Sequence, residues 1–491
     1  MLRSWKGGLG AVAMFALVVG GGCKRSPDSP DLTGDGGAED TGDDGGTTTS
    51  PATGGSGGAD ESSGTDGADA PKYDVGGIPD APTFPSNCEG GNGNGGGSGG
   101  PQFSFIWVAN SSEGTVSKID TITLEEVGRY KTHPNYGDPS RTSVSLNGDV
   151  AVANRNGGLV KFWANPANCV DRNGNGSIDT STGKNDVLAW EDEECRAWFT
   201  DFDYESQRPV AWTPGQWSAS QCRYVDTKVW TSGTNGGWGK GKGGGVFPGE
   251  PGGGDGGDGG DGGVEPPPPG GGGGGGGLGN GVDVILVDGE TGEVEHAVKI
   301  PEVIPDYFGL YGGAVDGDGN FFGTQLGYGH VVRVNLSDLE YTVWEQTNGG
   351  YGMTVDQEGR VWTCDYTTAR FDPDTAQWDV VNLGSGGGSG CMVDAEGVLW
   401  VGGDALTGVD TETLDIVATH NIGGGGGWTY LKGISIDFQG YVWAVTMDTE
   451  AYRVDPETGE FETYSGLNGP YTYSDMTGFA LANSGGWTPA G

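Results

Sequence analysis

A repeat of about forty residues limits what this chain can fold into more than any other feature. Gly352-Met-Thr-Val-Asp356-Gln-Glu-Gly359-Arg-Val-Trp362 returns as Gly312…Asp316…Gly319…Phe322, as Gly390…Asp394…Gly397…Trp400 and as Gly433…Asp437…Gly440…Trp443. The aspartates stand in steps of 40, 38 and 43 residues. Val144-Ser-Leu-Asn-Gly148-Asp-Val-Ala151 is a degenerate copy. Each unit reads as a hairpin: an apolar strand ends at Asp, Gly supplies the positive φ of a tight turn, and a β-rich strand returns. A second hairpin follows, as in Ala369-Arg-Phe-Asp372-Pro-Asp-Thr and Tyr452-Arg-Val-Asp455-Pro-Glu-Thr. Two hairpins make four short antiparallel strands, a sheet that buries both faces only by stacking on its copies around a ring.

Counting units predicts an all-β fold: a seven-bladed β-propeller over residues 103–484. Blade 1 draws on Phe105–Asn110, Thr115–Asp120 and Glu125–Tyr130. Blade 2 runs from about Thr142 to Thr200, and blade 3 from about Pro209 to Ile300. Blades 4 to 7 begin near Tyr311, Tyr351, Ser389 and Lys432. Ser474–Ala482 is expected as a lone strand that completes blade 1 and closes the ring, leaving 485–491 as a tail. Trp107, Trp230, Trp362, Trp400 and Trp443 hold matching positions and are expected to pack between blades.

Two stretches do not carry the repeat. Gly accounts for 103 of 491 residues, and it concentrates in 24–102 and 233–281 together with Asp, Ser and Pro. Such segments bury too little apolar area to offset their ordering entropy. Residues 23–102 therefore read as a disordered tether, and 233–281 as a solvated loop inserted in blade 3. A second insertion spans 165–200. The net charge of −43 excludes a non-specific nucleic-acid binder, because polyphosphate would be repelled. It suits cation binding or a salty exterior.

Within Met1–Cys23, Arg3 and Lys6 precede a short apolar run, Leu9 to Val19, and then Gly20-Gly21-Gly22-Cys23. The run is too short for a permanent membrane span. The segment resembles a bacterial lipoprotein signal, which implies removal of 1–22 and lipid on Cys23. With Lys24 next, the resemblance implies an outer-membrane address. No later segment is apolar enough to cross a membrane.

Asp171-Arg-Asn173-Gly-Asn175-Gly-Ser177-Ile-Asp179 resembles the calcium loop of EF-hand and dockerin modules. Oxygen-bearing side chains fall at loop positions 1, 3, 5 and 9, Ser177 offers its carbonyl, and Gly176 makes the sharp turn. Thr182 stands where the bidentate Glu belongs, so Asp186, Asp192 or Glu193 would complete the shell. With two charged ligands in the motif, affinity should be on the order of 10⁻⁴–10⁻³ M, and the role of Ca²⁺ structural. Besides Cys23, six cysteines remain, an even number that suits disulfides in an exported protein. Fifteen pairings are possible. The preferred set is Cys169–Cys195 around the calcium loop, Cys364–Cys391 between adjacent blades, and Cys88–Cys222.

Phe105–Asp120, FIWVANSSEGTVSKID, resembles surface-layer YVTN-type propeller repeats, and the four units after residue 311 resemble the virginiamycin B lyase family. That family places a Glu three residues after a blade Trp and a catalytic His two residues beyond it. The matching stretch here is Trp362-Thr-Cys-Asp365-Tyr-Thr367, in which Asp365 could stand for the metal-binding Glu but Thr367 is no base. Of His133, His296, His330 and His420, His330 in Gly-Tyr-Gly-His is the candidate to face a ligand. Tyr311, Tyr351 and Lys432, each one residue before an inner-strand Gly, are expected at a channel mouth with Asp365 and Asp404. The sequence therefore reads as a non-enzymatic, surface-anchored propeller that binds a ligand or protein through one face. A lyase or hydrolase of the virginiamycin B lyase type is the alternative.

Overall fold

The computed structural model describes residues 104–235 and 281–490, apart from 306–307, 328, 366, 384–387 and 424–428. The expected signal peptide, Cys23, the tether, Cys88 and residues 236–280 of the Gly-rich loop lie outside the described residues.

Strands Pro139–Val144, Ser206–Trp212, Gly312–Val315, Gly352–Val355, Cys391–Val393 and Gly433–Ile436 each form the inner edge of a four-stranded antiparallel sheet. Phe105–Asn110, Thr115–Asp120 and Glu126–Lys131 form a seventh sheet of three strands. Together these are the seven blades of a β-propeller. A two-stranded hairpin, Gln216–Ser218 with Arg223–Val225, is added between the first two strands of blade 3. Antiparallel order fixes the ends of the ring. Turns between first and second strands lie on one face, the turn face. Loops between second and third strands, and the links between blades, lie on the other, the crossover face.

The repeat sequence makes the inner turns. Asp356 Oδ1 accepts the amides of Glu358 and Arg360 at 3.1 and 2.8 Å, while its Oδ2 takes the Trp362 indole N–H at 2.8 Å. Asp394 with Trp400 (2.7 Å) and Asp437 with Trp443 (2.9 Å) repeat the arrangement. Burial pushes the Asp394 carboxyl above its ordinary range, against the bonds it accepts. The same holds for Asp437, although Arg453 opposes the shift. Gly319, Gly359, Gly397 and Gly440 have φ of 80°, 78°, 80° and 84°, the left-handed values the turn requires. All five matching tryptophans are buried.

Ring closure differs from the expectation of a lone strand over Ser474–Ala482. The inner place of blade 1 is taken earlier, by residues 470–476. Pro470 bridges Asn110, the Tyr471 amide donates to Ala109 at 3.1 Å, and the Trp107 amide donates to Met476 at 2.8 Å. Phe479–Gly485 is instead an α-helix. Two features redirect the chain: Gly478 at φ 88°, and the Asp475 carboxylate, which accepts the amides of Thr477, Gly478 and Leu481 at 3.3, 2.8 and 3.3 Å.

Candidate functional site: an aromatic and cationic channel mouth

The links between blades deliver Tyr311, Tyr351 and Lys432 to the crossover face, where they meet. The rings of Tyr311 and Tyr351 stand edge to face at 5.2 Å, and Lys432 Nζ lies 3.4 Å over Tyr351. The ring-closing segment adds Tyr471 and Tyr473, alternate residues on extended backbone. Tyr473 stacks on Tyr311 at 5.8 Å and reaches Tyr351 at 4.9 Å. The Tyr471 hydroxyl bonds those of Tyr311, at 3.0 Å, and Tyr351.

Arg141, on the inner strand of blade 2, sits at the centre. Its guanidinium lies 3.3 Å from the Tyr473 ring and 5.1 Å from that of Tyr311. It donates to the carbonyls of Tyr473 (3.2 Å), Tyr311 (2.6 Å) and Tyr351 (3.3 Å). One side chain thus ties blades 1, 2, 4 and 5. Arg155 lies 4.3 Å from the Tyr471 ring and pairs with Asp138 at 2.6 Å. Arg208 lies 4.2 Å from Phe308 and 4.8 Å from Tyr311. Burial raises the Tyr473 phenol well above its ordinary range, opposed by Arg141. Burial also lowers Arg141, opposed by Tyr473 and Tyr311. Phe308, Leu326, Tyr351 and Met447 rim this buried cluster and keep part of their surface exposed.

The other expected site residues are placed unevenly. Asp365 fills the space that a Cβ on Gly349 or Gly388 would need, and the Gly388 carbonyl accepts Lys432 Nζ at 2.6 Å. Asp404 is exposed, in the loop after the second strand of blade 6. His330 lies on Gly329–Val334, the third strand of blade 4, where its Nδ1 meets Gln325 at 3.1 Å. The Thr367 hydroxyl donates to Asn348. Arg141, Arg155, Arg208, Tyr471 and Tyr473 were not foreseen. The alternating tyrosines of Tyr471-Thr-Tyr473 were the available signal, since period two puts both on one side of an extended chain.

Below the mouth the channel narrows to a cavity of about 30 Å³, room for one or two waters. Its lining includes Ser143, Met353, Met392, Ser474, Asp475 and Leu481. Burial pushes the Asp475 carboxyl up to about 6, against the amides it accepts. The turn face is covered by the chain itself. Asn483 donates to the carbonyls of Val393 and Asp394 at 3.1 Å, the Trp487 indole to Gly317 at 3.2 Å, and the Ala490 amide to Leu146 at 2.8 Å.

In the expected calcium loop, Asp171 accepts the amides of Gly174 and Gly176 at 2.6 and 2.9 Å. Asn173 and Asn175 both donate to Asp179 Oδ2 at 2.7 Å. The Ser177 hydroxyl donates to Asn175 at 2.7 Å. Of the residues expected to complete a shell, Asp186 accepts from Thr182, Asp192 is exposed, and Glu193 is buried, bonded to Thr180 and Ser181. Glu194, which the sequence reading passed over, braces the loop by accepting the amides of Arg172, Asn173 and Asp179. Among the described residues no group of three or more His, Cys, Asp or Glu side chains is gathered to hold a metal. Cys169 and Cys195 are joined with an S–S distance of 2.06 Å, and Cys364 and Cys391 with one of 1.95 Å.

No protein-family model matches the sequence, and no curated protein matches it. Among solved structures, a streptogramin B lyase is similar over 70% of this chain and 87% of its own, at 10% identity and TM-score 0.43. Virginiamycin B lyase from Staphylococcus aureus is similar over 67% of this chain and 84% of its own, at 12% identity and TM-score 0.40. The dihydro-heme d1 dehydrogenase NirN is similar over 75% and 76%, at 10% identity and TM-score 0.41. The likeness is one of fold, and the ring of seven sheets is read from the strands themselves.

Proposed function

We propose that this protein is a lipid-anchored β-propeller of the outer membrane that binds a ligand or partner at its crossover face, with Ca²⁺ stabilising the 165–200 insertion. The observation that carries the reading is the mouth: buried tyrosines and cations in the centre, with Tyr351, Phe308, Leu326 and Met447 partly exposed around them. Aromatic side chains with one wet end are common anchors of binding surfaces. The opposite face is occupied by the helix and tail. The described chain enters on that occupied side, where Ser104 bonds Gln439 of a turn-face hairpin at 3.0 Å.

Binding is favoured over elimination chemistry because Thr367 is engaged by Asn348 and His330 by Gln325 on a third strand. Purified protein incubated with a streptogramin B antibiotic and Mg²⁺ should give no linear product by mass spectrometry. A linear product that disappears in His330→Ala installs the lyase reading instead. For the anchor, Cys23→Ser should release the protein from the outer-membrane fraction, and retention there sinks it. For calcium, chelator should speed proteolysis within 165–200 ahead of the blades, and unchanged cleavage removes the metal from the account.

A further inference from the structure

Among the described residues, two donors of the mouth lack an acceptor: the hydroxyl of Tyr473, a residue 1% exposed, and Arg141 Nε. A buried donor left unmade costs about 1–3 kcal/mol, so such atoms in a well-packed place call for a reason. Both atoms are donors, so what would satisfy them is an acceptor. Their surroundings are cationic. Arg141, Arg155 and Arg208 lie close enough to act electrostatically on the Tyr473 phenol, and Lys432 Nζ is 5.8 Å from its ring. Asp138 pairs with Arg155, and Asp365 lies against Gly349 and Gly388, beside the Gly388 carbonyl that accepts Lys432 Nζ. Four cations thus gather around the mouth tyrosines of a chain with net charge −43.

We propose that the mouth is a site for an anionic group, carboxylate or phosphate, carried on an aromatic or apolar body. The inference rests on the binding role proposed above and names the class of ligand for that face. The anionic oxygen accepts from Tyr473 Oη and Arg141 Nε, with Arg155, Arg208 and Lys432 supplying the field. The Tyr351 ring packs 4.9 Å from that of Tyr473 and is itself partly exposed, so its displacement is the way in that the proposal requires. The body of the ligand then rests on Phe308, Leu326 and Met447. A neutral isostere would leave the donors unmade and bring no charge, which is where discrimination comes from.

The test uses the full mature chain and three probes: benzoate, its neutral analogue benzamide, and inorganic phosphate, which has charge without a body. Calorimetry and ligand-observed NMR should show benzoate binding one to one, at least tenfold tighter than benzamide, with phosphate weaker and competing. Tyr473→Phe removes a single unpartnered oxygen. It should weaken benzoate about tenfold, the size of one charge-assisted hydrogen bond, while thermal stability stays level or rises. Arg155→Gln should weaken benzoate and phosphate together. Equal binding of benzoate and benzamide, lost in Tyr351→Ala, would sink the anionic inference and leave a binding face standing. Benzoate binding unchanged in both Tyr473→Phe and Arg155→Gln would put the anion elsewhere and overturn the site. If no probe binds at millimolar concentration, the inference fails, and the face must then be tested with macromolecular partners.

Discussion

Blades 5 to 7 and blades 1 and 3 carry tryptophan at the same position and use it differently. In the later blades the indole donates inward, to the Asp that shapes the same blade's turn: Asp356, Asp394 and Asp437. In the earlier ones it donates outward. Trp107 reaches the Gly148 carbonyl of blade 2 at 3.3 Å, and Trp230 the Gly319 carbonyl of blade 4 at 3.0 Å. Blade 2 has Ser145 where the Asp would stand, and its hydroxyl holds one turn amide, that of Asn147, at 3.2 Å. A turn with its own carboxylate is complete by itself. A turn without one leaves the indole to fasten the neighbouring blade, and the two insertions, in blades 2 and 3, fall in this same half of the ring.

The largest expected effect lies in the self-contained half. Asp437 accepts two amides, the Trp443 indole and Arg453 Nε (3.2 Å), with both ionic partners buried. Asp437→Ala takes the buried partner from Arg453, leaving it the exposed Glu462 at 3.2 Å, and should cost about 3 kcal/mol in urea denaturation. A loss under 1 kcal/mol would mean that the turn does not depend on its carboxylate. In the irregular half, replacing Cys169 and Cys195 by Ser opens a loop of 26 residues and should cost roughly 3 kcal/mol. Proteolysis should then begin between 170 and 195. Cleavage first in a blade would show the insertion to be stable without its bridge.

The tryptophans themselves sharpen the contrast. Trp230→Phe and Trp400→Phe should each cost about 2 kcal/mol for an acceptor left unmade. Hydrogen exchange should separate them: Trp230→Phe exposes amides around Gly319 in the next blade, whereas Trp400→Phe exposes those of its own turn at Glu396–Val398. The same pattern in both would erase the distinction between inward and outward indoles. The smallest effect is a gain. The outer turns place Leu124, Leu339, Ala376 and Leu414 at φ of 59°, 62°, 56° and 65°, where Gly292 and Gly459 stand in blades 3 and 7. Ala376 is exposed, and Ala376→Gly should stabilise by up to about 1 kcal/mol, visible as a small rise in Tm.

What could be read in advance follows the same division. The inner turns were legible because Asp, Gly and Trp act within one hairpin, so their spacing records their geometry. Tyr311, Tyr351 and Lys432 were legible for the same reason, being pinned to the Gly that opens an inner strand. Arg141 was not, because blade 2 has no such Gly and the partners of this guanidinium come from three other blades. Tyr473 was hidden by placing the closing strand too far along, since the helix start depends on a side chain turning back on its own backbone. The positive φ of the outer turns was masked by Leu and Ala, residues that do not announce it. Glu194 was passed over because it braces its loop from 15 to 22 residues away.

The closing of the ring sets an order of events. Asn110 meets Pro470 across most of the chain, so this pairing carries a far larger search than any hairpin. The other inner strands find their neighbours within 28 residues, and most within 15, and are free to form early. Until residues 470–476 arrive, Phe105–Asn110 is an open sheet edge able to pair with another molecule. The four tyrosines of the mouth cannot assemble either, since two of them ride on that segment. The assembly of the mouth and the closing of the ring are therefore one event, and a chain caught before it still offers that edge to another molecule.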